Sequence, residues 1–260
     1  MIFKTIFRQR TLILDICATE IKRKYAGTLL GPVWAIAPPI LTVAAFWFVF
    51  QFGLKIGSGP GGIPYFYYFT LGILPWFLFF DAFSNSVNSI RENTHLITKM
   101  VFPSEILPIV KFLVASVPHI VLLFLMIGML WVNDLLSPLN LPWILYYYGC
   151  AAFLAVGLGW LVSSISVFSQ DAAHASLLVV SLLFWVTPIM WHISSLPENW
   201  HWAFDLNPMT HIANGYRFAL TGGVGQNLDS FLIFWGIVSI ICVVGLNVFF
   251  RLKHHFADVL

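Results

Sequence analysis

The sequence predicts an all-α polytopic membrane protein of six transmembrane helices, with an amino-terminal interfacial amphipathic helix and short outer-leaflet re-entrant helices between spans five and six. Composition is the first reason: 59% of residues are hydrophobic and only 9% charged, whereas a soluble domain carries about 25% charged residues. Mean hydropathy is +0.86. The second reason is that apolar sequence gathers into six stretches, each at or near the roughly 20 residues that cross a bilayer core.

Residues 1–32 hold six of the thirteen Lys and Arg, namely Lys4, Arg8, Arg10, Lys22, Arg23 and Lys24. They lack an apolar core followed by a small-residue cleavage site, so no removable signal peptide is expected. Within 1–26, Ile13, Ile16, Cys17 and Ile21 are interspersed with Asp15, Glu20, Lys22, Arg23 and Lys24, which reads as an amphipathic helix lying in the headgroup plane. Gly27, Gly31 and Pro32 then break the helix, and Trp34 anchors the start of the first span. This stretch, EIKRKYAGTLLGPVWAIAPPI, is a corner from membrane surface into membrane.

The spans are expected at 33–54, 64–86, 105–131, 142–168, 175–193 and 230–250. An inside amino terminus leaves cytoplasmic segments at 1–32, 87–104, 169–174 and 251–260, which hold ten of the thirteen basic residues, including Arg91, Lys99, Arg251 and Lys253. Only Lys55 and Arg217 fall outside, with Lys111 inside span three, so the positive-inside rule places both termini in the cytoplasm. The whole chain, 1–260, reads as one transmembrane domain, with 33–250 as its six-helix body and 251–260 as a tail. Segment 194–229 is long and aromatic for a connector. Asn207–Pro208 forms an N-cap and first-turn pair, and Gly222–Gly223 closes the run, so one or two short helices are expected there.

No phosphate loop, dinucleotide fingerprint, zinc-protease helix or nucleophile elbow occurs in the sequence. If the chain moves something against a gradient, the energy must arrive through a partner or an ion. Cys17, Cys150 and Cys242 are scattered and read as packing residues, and no metal site is expected. Asp81 and Lys111, near the inner ends of spans two and three, read as a structural ion pair. His119 is mid-span, while His192, His201 and His211 cluster beside Trp in the outer segment, which opens an alternative as an intramembrane haem-handling or enzymatic protein. The cytoplasmic stretch NSIRENTHLITKMVFPSEILP arranges charges around Leu96, Ile97, Met100 and Phe102 and reads as a short amphipathic helix suited to docking a cytoplasmic partner; its candidates are Arg91, Glu92, Asn93, Leu96 and Lys99.

Taken together, these segments resemble the ABC-2 type permeases that export polysaccharides. Lys22, Lys24, Tyr25, Gly31, Trp34 and Pro38 stand at that family's first signature, and Asn93, Leu96, Lys99, Phe102, Pro103, Glu105 and Pro108 at its second. FSQDAAH at Asp171, TPIMWHISSLP, LNPMTHIANGYR and HHFADVL follow in collinear order. The chain departs at Ala18-Thr19-Glu20 and at Gln170, where Arg-Asp and Arg are common in the family. The resemblance implies a subunit in the cell inner membrane that is not itself an enzyme. It implies a homodimer served by two copies of a separate ATP-binding subunit, which uses ATP and Mg while this chain binds no cofactor. The implied substrate is an undecaprenyl-linked polymer (O-antigen, teichoic acid or capsule); FADVL and RKYAGTLLG resemble the O-antigen and teichoic-acid branch more than the capsule branch, and O-antigen is the expected cargo. No nucleic-acid partner is expected, and an ABC-2 permease for a small lipid or drug is the alternative within the family. A conduit for sugar needs rings for C–H faces and few charges. The bunched aromatics supply Trp34, Phe46, Phe50, Trp76 and Trp185 as lining candidates, with Trp34 at the cytoplasmic entrance.

Overall fold

The computed structural model describes residues 7–31, 33–99, 102–223, 225 and 227–260, with the backbone alone at Tyr25, Pro60, Lys99 and Ala257. Lys4, Pro32 and Met100 lie outside the described residues. Among the described residues the fold is helical, and its one pair of strand-like contacts is an isolated bridge from Ser58 to Pro64.

Helix α1, Arg10–Tyr25, is followed by the corner, where Gly27 and Gly31 take φ of +75° and +50°. An L side chain would be strained there, which is why two glycines make the turn. Helix α2, Val33–Phe48, is extended by a wider turn over Val49–Gly53. Helix α3, Tyr65–Val87, leads into two short helices, α4 (Ser89–Glu92) and α5 (Thr94–Lys99), so the expected single amphipathic helix is broken at Asn93. A 3₁₀ turn at Ser104–Ile106 opens α6, Leu107–Val132. Helices α7 (Trp143–Ser166) and α8 (Gln170–Val186) complete the first five spans.

Span five differs from its expected 175–193. Ser169 caps α8 by accepting from the Ala172 N–H at 3.2 Å, so the helix takes in the polar residues that had been assigned to a loop. It ends at Val186 because Thr187 precedes Pro188, a position where helical geometry is disfavoured, and Thr187 is extended at φ −68°, ψ 133°.

Beyond two 3₁₀ turns and the short helix α9, His201–Asp205, lies α10, Pro208–Thr221. Its ends fall where the sequence put them. The Asn207 side chain accepts from the Met209 N–H at 3.0 Å, and Gly222 caps the other end at φ +71°. Helix α11, Leu228–Lys253, is the last span, and α12, Phe256–Val259, turns back at the terminal end.

Among the described residues, five helical segments are long and apolar enough to cross a membrane, and α8 is a shorter apolar helix. The chain is a multi-pass membrane protein. Helix α3 is its axis, with 78% of its most apolar window buried in the chain, whereas none of the corresponding window of α2 is buried. Helix α10 packs into the bundle against α3 and α7, with Ile212, Ala213, Tyr216 and Leu220 fully enclosed.

Candidate functional site

Two clusters of functional side chains stand apart in the bundle, an ionic junction at the end that carries both termini and an aromatic wall shared by α2, α3 and α8.

The junction is built on one stripe of α1. Ile13, Cys17, Glu20 and Lys24 recur at helical spacing. Ile13 and Cys17 are buried with Ile106, Val110 and Val114 at the start of α6. This stripe therefore rests on protein and Glu20 follows it inward, while Lys24 stays exposed beside Asp81, although the sequence reading set both on the polar side. Lys111, buried in α6, stands 2.9 Å from Glu20 and 2.9 Å from Glu92, and it donates a hydrogen bond to Glu92. Lys24 reaches Asp81 at 3.3 Å, and Asp81 also accepts from Asn85 at 2.8 Å.

The expected Asp81–Lys111 pair is thus corrected: each residue takes a different partner. The physical reason is that α1 lies across both spans and offers a carboxylate and an ammonium four residues apart on one face. The arrangement ties three elements, α1, α4 and α6, through one buried ammonium.

The remaining coupling candidates sit close by. Arg91 donates to the Val167 carbonyl at 3.1 Å, joining α4 to the end of α7. Asn93 is buried and its amide donates to the Ser89 carbonyl at 2.8 Å, so it holds the break between α4 and α5. Leu96 is half-buried, and the backbone of Lys99 ends α5. Glu105 pairs with Lys253 of α11, and its carbonyl accepts from the Trp160 indole at 2.8 Å. Sequence reasoning missed this bond between the second signature segment and the last span, because nothing local links positions 148 residues apart.

Of the lining candidates, Phe46, Phe50, Trp76 and Trp185 come together and Trp34 does not. Phe46 lies 5.3 Å from Phe69 and 6.4 Å from Phe184, and Phe50 lies 5.0 Å from Tyr65. Phe184 carries the chain of rings on to Trp76 at 5.4 Å and Trp185 at 5.4 Å. Trp76 is 5% exposed and enclosed by the chain's own rings, so it supports the wall from behind and does not present a surface. Trp185 is 61% exposed. Trp34 lies at the mouth of a cavity of about 300 Å³ with Lys24 and Asp81.

His119, His201 and His211 each find a separate partner. His119 shares a hydrogen bond with the Tyr216 hydroxyl at 3.0 Å, His211 stacks on Phe234 at 4.5 Å, and His201 reaches the Leu196 carbonyl at 3.1 Å. Among the described residues no three His, Cys, Asp or Glu side chains converge as a metal site would need.

Arg217, expected in the external segment, is buried in α10. It donates to the carbonyls of Tyr68, Pro188 and Ile189 at 3.1, 3.1 and 2.8 Å and to the Asn214 side chain at 2.8 Å, with its guanidinium 3.8 Å from the Tyr68 ring centroid. The signal was present: Arg217 is a lone charge nine residues inside a capped helix of otherwise small, polar or apolar residues.

Residues 11–221 match the family described as ABC-2 type transporter. The chain belongs to the ABC-2 type transporter family. This ABC-2 chain is 27% identical over 253 residues to a Klebsiella pneumoniae protein named O-antigen export system permease protein RfbA, covering 96% of the chain and 95% of that relative. A Myxococcus xanthus protein of the same name is 23% identical over 223 residues, 82% of each. An Escherichia coli protein named polysialic acid transport protein KpsM is 20% identical over 218 residues, 83% of each. The ABC-2 assignment agrees with the resemblance read from the sequence and makes the haem-handling alternative unnecessary.

Proposed function

We propose that this chain is the membrane subunit of an ATP-driven exporter that moves undecaprenyl-linked polysaccharide, O-antigen above all, across the cell inner membrane. The observation that carries this reading is the near full-length similarity to relatives named for O-antigen export, which spans every element from α1 to α11. Two copies of the chain form the conduit, both termini are cytoplasmic, and two copies of a separate ATP-binding subunit dock at the terminal end and use the ATP and Mg.

In this reading α4 and α5 are the docking knob and Lys111 is the relay. Glu92 is 43% exposed yet already paired to Lys111, so a subunit pressing on α4 pulls on α6 and, through Glu20, on α1. Phe46, Phe50 and Trp185 line the sugar path, Trp34 guards its cytoplasmic entrance, and an uncharged aromatic wall lets hydroxyls exchange hydrogen bonds while ring faces stack on C–H groups.

The test deletes the gene in cells that display surface polymer, and the deletion should remove that polymer from the surface. Expression of the Glu92→Lys, Lys99→Glu variant should leave membrane insertion intact, abolish surface polymer and accumulate lipid-linked polymer inside. Surface polymer that persists in the deletion strain would refute the function, and normal export by the double variant would refute the docking assignment.

A further inference from the structure

A cavity of about 600 Å³ opens at the end of the bundle opposite the termini, between the start of α3, the segment after α8, the end of α10 and the start of α11. Its polar lining includes Tyr68, His192, Asn214, Thr221, Asn227 and Ser230, and Phe218 supplies a half-buried ring. Among the described lining residues Arg217 alone is a permanent charge.

Arg217 reaches this wall, but four of its five N–H donors are committed. Nε and both Nη atoms serve three carbonyls and the Asn214 oxygen, and the outer face of Nη2 abuts Gly72. It fixes the floor of the cavity and holds Asn214 with its oxygen turned inward to the guanidinium and its amide NH₂ left to donate. His192 is fixed in a similar way. Its Nδ1 accepts from the Ser194 N–H at 3.2 Å, which leaves the ring proton on Nε2. Burial, with Arg217 and His201 nearby, holds the His192 pKa below its usual value, so at neutral pH the ring is uncharged.

The chemistry of this lining discriminates between ligands. A phosphate or carboxylate is held best by several free cationic donors, and of the five guanidinium N–H groups four are engaged, three by backbone carbonyls and one by Asn214. A purely apolar chain would strand the amides and the hydroxyl. A hydroxyl-rich, uncharged ligand with apolar C–H faces satisfies both kinds of wall, and the volume lies within the range of small-molecule sites, roughly 300–1,000 Å³. We infer that this cavity is an exit subsite that holds a neutral glycan segment of the polymer on the far side of the membrane, which would keep the chain from sliding back between power strokes. The inference rests on the export reading above and adds to it a place and a ligand class.

The test is photo-crosslinking in cells that export their own polymer. The photoreactive residue p-benzoylphenylalanine is placed at Asn227, at Ser230 or, as a lipid-facing control, at Leu232, which is 58% exposed on the same helix. After irradiation the chain is purified under denaturing conditions and stained for periodate-reactive sugar. Glycan adducts are expected at 227 and 230, absent at 232, and lost when polymer synthesis is blocked. Cavity filling by Ser230→Trp should lower surface polymer at least about fivefold at unchanged protein level. No adduct at 227 or 230 in cells whose surface polymer depends on this chain would overturn the subsite while leaving the export function standing, and so would equal adducts at 232. If surface polymer does not depend on the chain, it is the export reading that fails.

Discussion

Lys111 shows how much rests on one ammonium. It is 5% exposed and Glu20 is 11% exposed, so neither charge has bulk water to fall back on. Removing one partner of a buried pair costs about 3–5 kcal/mol because the other charge stays buried alone. Lys111→Met should therefore lower the thermal midpoint of the detergent-solubilised protein sharply, and adding Glu20→Gln should restore part of the loss. Adding Asp81→Asn instead should restore none, since Asp81 is held by Lys24 and Asn85; recovery with Asp81→Asn would reinstate the pair expected from the sequence. Cys17 on the same stripe gives an independent check on how closely α1 is docked. Burial, reinforced by Glu20, pushes its thiol up to about 11, and a thiol reacts as its thiolate. The reactive form appears only as pH rises through that value, so at pH 8 Cys17 should resist maleimide in the folded protein and label on denaturation. Rapid labelling of the folded protein would mean that α1 is undocked.

At the scale of elements, helix caps and breakers were legible and helix contacts were not. Asn207, Pro208 and Gly222 act within a few residues of themselves, so the bounds of α10 could be read from the chain. The same physics was available at Thr187–Pro188, but unbroken hydropathy through Ile189 and Met190 outweighed it, and span five was drawn too far. The docking of α1 was hidden for a different reason: an amphipathic face looks the same whether lipid or protein will cover it, and only the spacing of Glu20 and Lys24 behind Ile13 and Cys17 hinted at protein. The aromatic wall was half legible, since bunching showed that rings were abundant but could not say that Trp76 faces inward and Trp185 outward. Close helix approach was also invisible in sequence, and it yields a matched test. A Cβ on Gly245 of α11 would run into the Gly157 carbonyl of α7, whereas one on Gly236 of the same helix meets nothing within 4 Å. Backbone cannot step aside as a side chain can. Gly245→Ala should therefore reduce folded yield, and Gly236→Ala should be neutral or slightly stabilising, since Ala is favoured over Gly in a helix by about 1 kcal/mol. Fluorescence-detected size exclusion of the two variants reads the difference, and equal behaviour would mean α7 and α11 are not in such close contact.

At the scale of the whole molecule, the two least covered spans are the two that should meet a second copy. Helix α2 buries none of its apolar window, and α8 exposes Leu178, Leu182, Trp185 and Val186 along one stripe. Lipid could cover either face, but length argues against lipid for α8. Its 17 residues rise about 26 Å at 1.5 Å each, short of the roughly 30 Å of hydrocarbon. A span that is too short against lipid thins the bilayer or associates with another helix, at a cost for each ångström of mismatch. Helix α11, with 26 residues, has no such deficit and exposes Leu232, Ile240 and Val243. The proposed homodimer thus has a direction: α8 turns toward the partner copy and α11 toward lipid. Single cysteines at Leu178 or Leu182, in a chain whose native cysteines are replaced, should form disulfide-linked dimers in membranes on mild oxidation. A cysteine at Ile240 should stay monomeric. Dimers trapped through Ile240 and not through α8 would place the interface on the other side of the bundle, and with it the conduit and the aromatic wall assigned to it.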